Sequence, residues 1–445
     1  MSISEVTTRG GPVLALLCSA QFLLVLDVTI VAVTLPTVRS DLGFTPAGLQ
    51  WVISAYTLAF GGLLVAAGRA GDVFGRRRLF GLGLALFGAA SLSCGLATSG
   101  AVLVASRAAQ GVGAALAAPA ALALLTAAFP EVGERRRAVA WWTAAAAGGG
   151  AAGWVLGGVL TEVLGWRAVF LVNVPLCVAA VALIPRVLVE SRGPRTALDL
   201  AGAASVTAGL SLVVLGLTLV ESRAWTDLRA LGALCAGGAL LAAFVAVERR
   251  APHPILPPWA LGRPGFLPAA VTAAALTGST SSAMFLALLY QQNELGRSAL
   301  EAGLWSAPLN LAVIAGSFLG ARGRPPLVMP AGLVTVAAGA LALVTLSSAG
   351  FAASFVLMGA GLGAASVAST ASGTEALSEH EQGIASGVLN AAAQIGTAVG
   401  LAVIVTLAAP LGPRTGFVAA AGLALVTAVT RWWPRSRRRP TTPPP

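Results

Sequence analysis

A chain of 445 residues that is 57% hydrophobic and 10% charged, with mean hydropathy +0.85, departs from soluble proteins, where about 25% of residues are charged. The bilayer is therefore its solvent, and past the N-terminal residues no stretch runs long enough without an apolar segment to build a soluble catalytic domain. The net charge of +11 comes entirely from Arg, clustered between apolar runs instead of spread over one surface, so nucleic acid is not an expected partner.

A membrane-spanning helix needs about 20 mostly apolar residues. In chain order, candidates fall at 13–36, 49–68, 79–99, 101–128, 138–161, 167–189, 198–220, 230–247, 265–290, 300–320, 327–347, 351–373, 383–409 and 415–433. The runs are too long for the alternating strands of a membrane barrel, and the first is too long for a cleaved signal peptide. The expected fold is an all-α polytopic membrane protein of about 14 transmembrane helices. Cys18, Cys94, Cys177 and Cys235 lie in apolar runs without CxxC spacing and read as small core residues. His253 and His380 sit in polar connectors, so no metal or cofactor is expected.

Basic loops stay cytoplasmic. Placing the N-terminus inside puts 21 of the 28 Arg on the cytoplasmic side and six outside, with Arg107 left within a helix. This supports an even helix count with both termini cytoplasmic. Helices of similar size flank a central pair, which divides the chain into an N-terminus (1–12), a six-helix half (13–190), a two-helix segment (191–250), a connector with a second six-helix half (251–433), and an Arg/Pro-rich tail (434–445). Carriers built from two such repeats place substrate near the midplane between them.

The first helix contains Leu26-Asp27-Val-Thr29-Ile-Val31-Ala-Val33-Thr34-Leu35-Pro36. A carboxyl group within a spanning helix either stays neutral or finds a cation, which makes Asp27 a candidate for proton exchange or for a structural ion pair. Thr34, seven residues on, shares its helical face. The loop between the second and third helices reads Gly68-Arg-Ala-Gly-Asp72-Val-Phe-Gly75-Arg76-Arg77-Arg78: glycines for a tight turn, Asp72 to cap or pair, and a basic cluster. In the fourth helix, Arg107-Ala-Ala-Gln110-Gly111-Val-Gly113 places a guanidinium in apolar surroundings at a cost of ~2.5 kcal/mol or more, so Arg107 needs a polar interior and a partner or must snorkel to the nearby surface. The fifth helix carries Gly149, Gly153, Gly157 and Gly158, with spacing that admits a neighbouring backbone.

These segments resemble the major facilitator superfamily and, within it, the fourteen-helix drug:proton antiporter family. The loop 68–78 is similar to the superfamily's signature between helices 2 and 3, with Val73 at a commonly basic position. The fourth-helix run resembles the motif of proton-coupled members, and residues 26–36 resemble the first-helix signature, with Ala32 where Asn is usual. The fifth helix resembles the antiporter motif, but Trp154 stands at the Pro position, so one cause of a kink is missing. Gln50-Trp51 with Tyr56, Trp166-Arg167 with Phe170, and Gln291 with Gly296 and Gly303 add to the likeness; the segment Gly320 to Pro325 lacks the acidic residue a second copy of the 2–3 loop would carry.

The resemblance implies a major facilitator fold, two six-helix halves plus two extra central helices. It also implies a proton-coupled exporter of a drug, antibiotic or secondary metabolite in the bacterial inner membrane, functional as a monomer. Asp27 and Arg107 would carry proton coupling. Gln21, Thr34, Asn173, Asn310, Asn390 and Gln394 are polar groups expected to face the interior and line a substrate cavity. A wide Ala/Gly-lined cavity with few charges suits an amphipathic organic substrate. A proton-coupled importer of the same fold is the alternative. A membrane enzyme would need an acid–base, nucleophile or metal cluster that the sequence does not offer.

Overall fold

In hydrocarbon every backbone N–H and C=O must be paired within its own segment, so apolar runs of this length form helices. A computed structural model of the chain describes residues 3–44, 49, 51–190, 200–222, 226–250, 262–297, 301, 305–378 and 381–432. Among these, fourteen helical segments follow one another: α1 (Ile3–Leu42), α2 (Trp51–Phe74), α3 (Arg76–Gly95), α4 (Gly100–Ala128), α5 (Val132–Leu164), α6 (Ala168–Val187), α7 (Leu200–Ser222), α8 (Leu228–Glu248), α9 (Phe266–Asn293), α10 (Ala307–Arg322), α11 (Pro325–Ala342), α12 (Ser348–Glu375), α13 (Gln382–Gly400, then a π turn Leu401–Val405 and Thr406–Leu411) and α14 (Pro413–Trp432). Eleven are long and apolar enough to cross a membrane. The described part of α10 has only 16 residues, α13 is divided by its π turn, and of the 23-residue α7 only Ala204–Val213 is counted, as a shorter apolar helix.

Two cores define two halves. One joins Leu16, Leu23 and Leu26 of α1 with Phe80 and Phe87 of α3, Leu122 of α4 and Ile184 of α6; the other joins Leu276 of α9 with Leu333, Phe355, Ile404 and Phe417. They meet where α5 packs on α10 and α12, and where α2 and α4 pack on α13. Close approach depends on small residues: a Cβ on Gly83 would lie 2.6 Å from the Ala117 amide nitrogen, fixing α3 against α4. The α7–α8 pair lies outside this plan. Val206, Leu210 and Phe244 pack with Leu64, Val65 and Ala391, so the pair covers the α2–α13 seam from one side.

Three of the four cysteines follow the core expectation in some degree: Cys94 and Cys177 are buried and Cys18 is partly so. Cys235 departs from it. It is exposed on α8, a peripheral helix whose outward face an apolar solvent would cover. Gln50, Gly303, His253, His380, the connector at 252–261, Arg192, Arg195, Arg223 and the tail from 433 lie outside the described residues, as do the side chains of Ala32 and Trp154. The backbone of α5 nonetheless runs as one helix through Trp154 from Val132 to Leu164.

Candidate functional site

The fourth helix places Arg107 inside the N-terminal half, only 1% exposed, and there it meets Asp27 of α1, which is 0% exposed. Arg107 Nη1 donates to Asp27 Oδ2 at 2.6 Å and to Gln110 Oε1 at 2.7 Å, while its Nε donates to the Val52 carbonyl at 2.9 Å. Asp27 Oδ1 accepts from Gln110 Nε2 at 2.9 Å and from Asn173 Nδ2 at 2.8 Å. Gln110 also donates to Ser91 Oγ at 2.7 Å, and the Tyr56 ring lies 4.4 Å from the guanidinium carbon. Five helices thus converge on one carboxylate–guanidinium pair.

Arg107 does not snorkel, and Asp27 has found a cation. Burying two charges is costly unless geometry is good and the remaining donors and acceptors are occupied, and Gln110, Asn173 and Val52 supply that occupancy here. Asp27 has no solvent-exposed surface in this conformation. Removing either charge alone would leave the other buried beside neutral groups, a loss of about 3–5 kcal/mol. The guanidinium would regain that energy only by reaching water.

The second constellation lies at the Arg-rich ends of the helices. Asp72, 1% exposed at the end of α2, accepts from Arg76 Nη2 at 2.8 Å and Nε at 3.0 Å, and its Oδ2 accepts from the Ile384 amide at 3.2 Å, in the first turn of α13. A carboxylate at a helix N-terminus is favoured both by unpaired N–H groups and by the helix dipole. The two halves are thus joined across this seam. Thr126 of α4 adds a hydrogen bond to Gln382 Oε1 at 3.1 Å. Gly75 adopts φ 108, the left-handed region where glycine is at ease. Beyond it, Glu190 accepts from the Arg77 amide at 3.1 Å and lies 3.8 Å from Arg78 Nε. Gly68 leaves room for α13, since a Cβ on the facing Gly387 would sit 3.4 Å from the Gly68 Cα.

The seam related to this one by the internal repeat lacks an acid in the α10–α11 turn, and the chemistry there is inverted. Arg136 of α5 donates to the Gly323 carbonyl of that turn at 3.3 Å and lies 3.7 Å from Glu375 at the end of α12. The carboxylate comes from a neighbouring helix instead of from the turn.

The motif glycines divide by role. A Cβ on Gly111 would meet the Tyr56 carbonyl of α2, and one on Gly113 would lie 2.6 Å from the Phe87 amide of α3. Gly149 faces the Phe22 carbonyl of α1, and Gly153 faces Thr29, so α1 and α5 touch backbone to backbone; Gly157 is buried, whereas Gly158 has open space. Gly149→Leu is expected to destabilise the protein by about 1–3 kcal/mol through overpacking, read as a lower thermal midpoint, and Gly158→Leu to be tolerated.

Of the polar candidates, Asn173 belongs to the Asp27 network, and Thr34 is buried with its hydroxyl donating to the Val31 carbonyl at 2.8 Å. Asn310 stands on the seam between halves, its Oδ1 3.6 Å from where a Gly150 Cβ would lie. Asn390 donates to the Ser386 carbonyl of its own helix at 2.9 Å, and Gln21, Asn390 and Gln394 are half-buried.

On the Arg-poor face, Asp41 ties α1 to the α5–α6 turn, accepting from Trp166 Nε1 at 2.9 Å and Arg167 Nη1 at 2.7 Å. These two hydrogen bonds, the Trp166 one foremost, hold its carboxyl below the ordinary value of 3.8. A lowered folded-state pKa contributes stability that is present above the unfolded pKa and lost as pH falls through the folded one. Asp41→Asn is expected to be less heat-stable than the parent at neutral pH, and the two melting curves to converge only below about pH 4.

Sequence reasoning paired neither Ser91 nor Glu190 with its partner. Glu190 carried a signal, an acidic residue following α6 on the same side as the Arg76–Arg78 cluster; Ser91, one serine among several in apolar helices, carried none.

Two helical halves, the first holding a buried charge network and the pair joined at one end by a carboxylate-to-helix seam, define a multi-span membrane carrier. The chain belongs to the Major Facilitator Superfamily, whose family model matches residues 17–322 and 269–445. It is 41% identical over 418 residues to the cephamycin export protein CmcT of Amycolatopsis lactamdurans, covering 90% of this chain and 85% of that one. It is 38% identical over 414 residues to the puromycin resistance protein pur8 of Streptomyces alboniger (88% and 81%), and 32% over 412 to the tetracenomycin C resistance and export protein of Streptomyces glaucescens (90% and 76%). In fold it is similar to the human organic anion transporter MFSD10 (TM-score 0.69, 16% identity, 95% and 99% of the chains covered) and to the proton:xylose symporter XylE (0.68, 12%, 96% of each).

Proposed function

We propose that this transporter is a proton-coupled antiporter that exports an amphipathic organic compound, such as an antibiotic or secondary metabolite, across the bacterial inner membrane, working as a monomer with both termini in the cytoplasm. The observation that carries this reading is the Asp27–Arg107 ion pair, 0% and 1% exposed, buried among spanning helices. In the cycle proposed here, the Arg-rich seam around Asp72 is closed while the opposite face admits a proton to Asp27. Loss of the ion pair releases Arg107 toward water, the halves rock, and substrate bound from the cytoplasmic side replaces the proton. Export is favoured over import by the relatives, which are named as export and resistance proteins.

A susceptibility panel tests the reading. Expression in a pump-deficient host should raise tolerance to at least one toxic amphiphile among cationic, neutral and anionic compounds, and a protonophore should abolish the gain. Protection that survives the protonophore would contradict proton coupling; uptake of the compound driven by the same gradient would favour the importer.

A further inference from the structure

At the Arg-poor ends of α9, α13 and α14 the C-terminal half carries an open-sided pocket of about 470 Å³, within the range of about 300–1,000 Å³ typical of small-ligand sites. Leu286, Leu289, Tyr290, Leu346, Ala408 and Leu411 supply apolar walls, and Glu294 and Arg414, both exposed, stand at its edge. Two backbone irregularities border it. Leu346 adopts φ 53, the one non-glycine residue with positive φ among the described residues, in a region disfavoured for L-residues. The π turn Leu401–Val405 interrupts α13 one turn before Ala408, and such turns gather at functional sites.

The walls come from α9, the turn after α11, α13 and α14, all in one half, so they do not part when the halves rock. This separates the cavity from the transport route. Leu289 and Leu411 are 37% and 65% exposed, and in a bilayer that exposure is to lipid. One anion and one cation beside an apolar slot at the membrane boundary complement a zwitterionic head group: Arg414 for a phosphate, Glu294 for an ammonium, with an acyl chain between α9 and α13. We infer that this cavity is a resident site for one zwitterionic phospholipid, of the phosphatidylethanolamine type, from the leaflet on the Arg-poor side.

The test uses the full chain in nanodiscs doped with phosphatidylethanolamine carrying a photoreactive acyl chain, with adducts mapped by mass spectrometry. Adducts should concentrate in residues 286–294 and 408–414, and Leu286→Trp, which fills the slot, should lower them by about fivefold or more. Glu294→Gln with Arg414→Gln, at exposed positions that leave the packing untouched, should erase the preference for this probe over a photoreactive diacylglycerol without a charged head. Adducts spread evenly over the lipid-facing helices would overturn the inference. So would equal labelling by both probes in the parent protein, or labelling unchanged by the paired charge variant, which keeps the test decisive if Leu286→Trp fails to insert. Labelling needs no transport, so its failure and a failure of the efflux reading are distinguishable.

Discussion

Asp27→Asn is expected to abolish proton-driven efflux and to lower thermal stability, while Asp27→Asn combined with Arg107→Gln recovers most of the stability and none of the transport. The single substitution leaves a guanidinium, 1% exposed, without its carboxylate, a cost of about 3–5 kcal/mol. Val52, Gln110 and the Tyr56 ring still surround it, but they are neutral. Removing both charges leaves a network of amides that can hydrogen-bond one another. A double-mutant cycle on melting temperature, run beside efflux in vesicles, separates the two contributions. Full efflux by Asp27→Asn would remove this carboxylate from the mechanism. Equal destabilisation in the single and double variants would mean that the pair is not what holds α1 to α4.

Asp72→Asn should have the next largest effect. The carboxylate serves Arg76 and the first turn of α13 together, so neutralising it weakens the link between the halves on the Arg-rich face. Hydrogen bonds to charged groups are worth about 1.5–3 kcal/mol, enough to shift an equilibrium between closed and open seams by roughly 10- to 100-fold. Cysteines introduced into α2 and α13 at this end should cross-link more slowly in the variant, and efflux should fall with them. Unchanged cross-linking would place the closing energy elsewhere, with the Arg136–Glu375 contact across the other seam the first alternative.

Much of this was legible in the sequence because bilayer chemistry leaves few options. Within the described residues each of the fourteen apolar runs contains a helix, and the cost of a buried guanidinium left Arg107 either to find a partner or to snorkel. What the sequence could not supply was the third dimension. Asp27 and Arg107 are 80 positions apart and Asp27 and Asn173 are 146 apart, and no periodicity links them. Asn173 looked like a cavity residue because any amide in a helix must face inward; which inward-facing group it meets depends on how α6 docks on α1. The π turn in α13 was equally hidden, since Leu401–Val405 is an ordinary apolar run. The missing acid in the α10–α11 turn was visible, but its replacement was not, because Glu375 comes from a different helix.

In the proposed cycle the Asp27 carboxylate exchanges a proton as substrate binds. Infrared difference spectroscopy on the purified protein, with and without an exported compound, reads this directly through the carboxyl stretch, with Asp27→Asn as the reference. Substrate should remove a protonated-carboxyl band in the parent protein and leave the variant's spectrum flat in that region. A substrate-induced carboxyl change that persists in Asp27→Asn, or none in the parent while transport is intact, would contradict it.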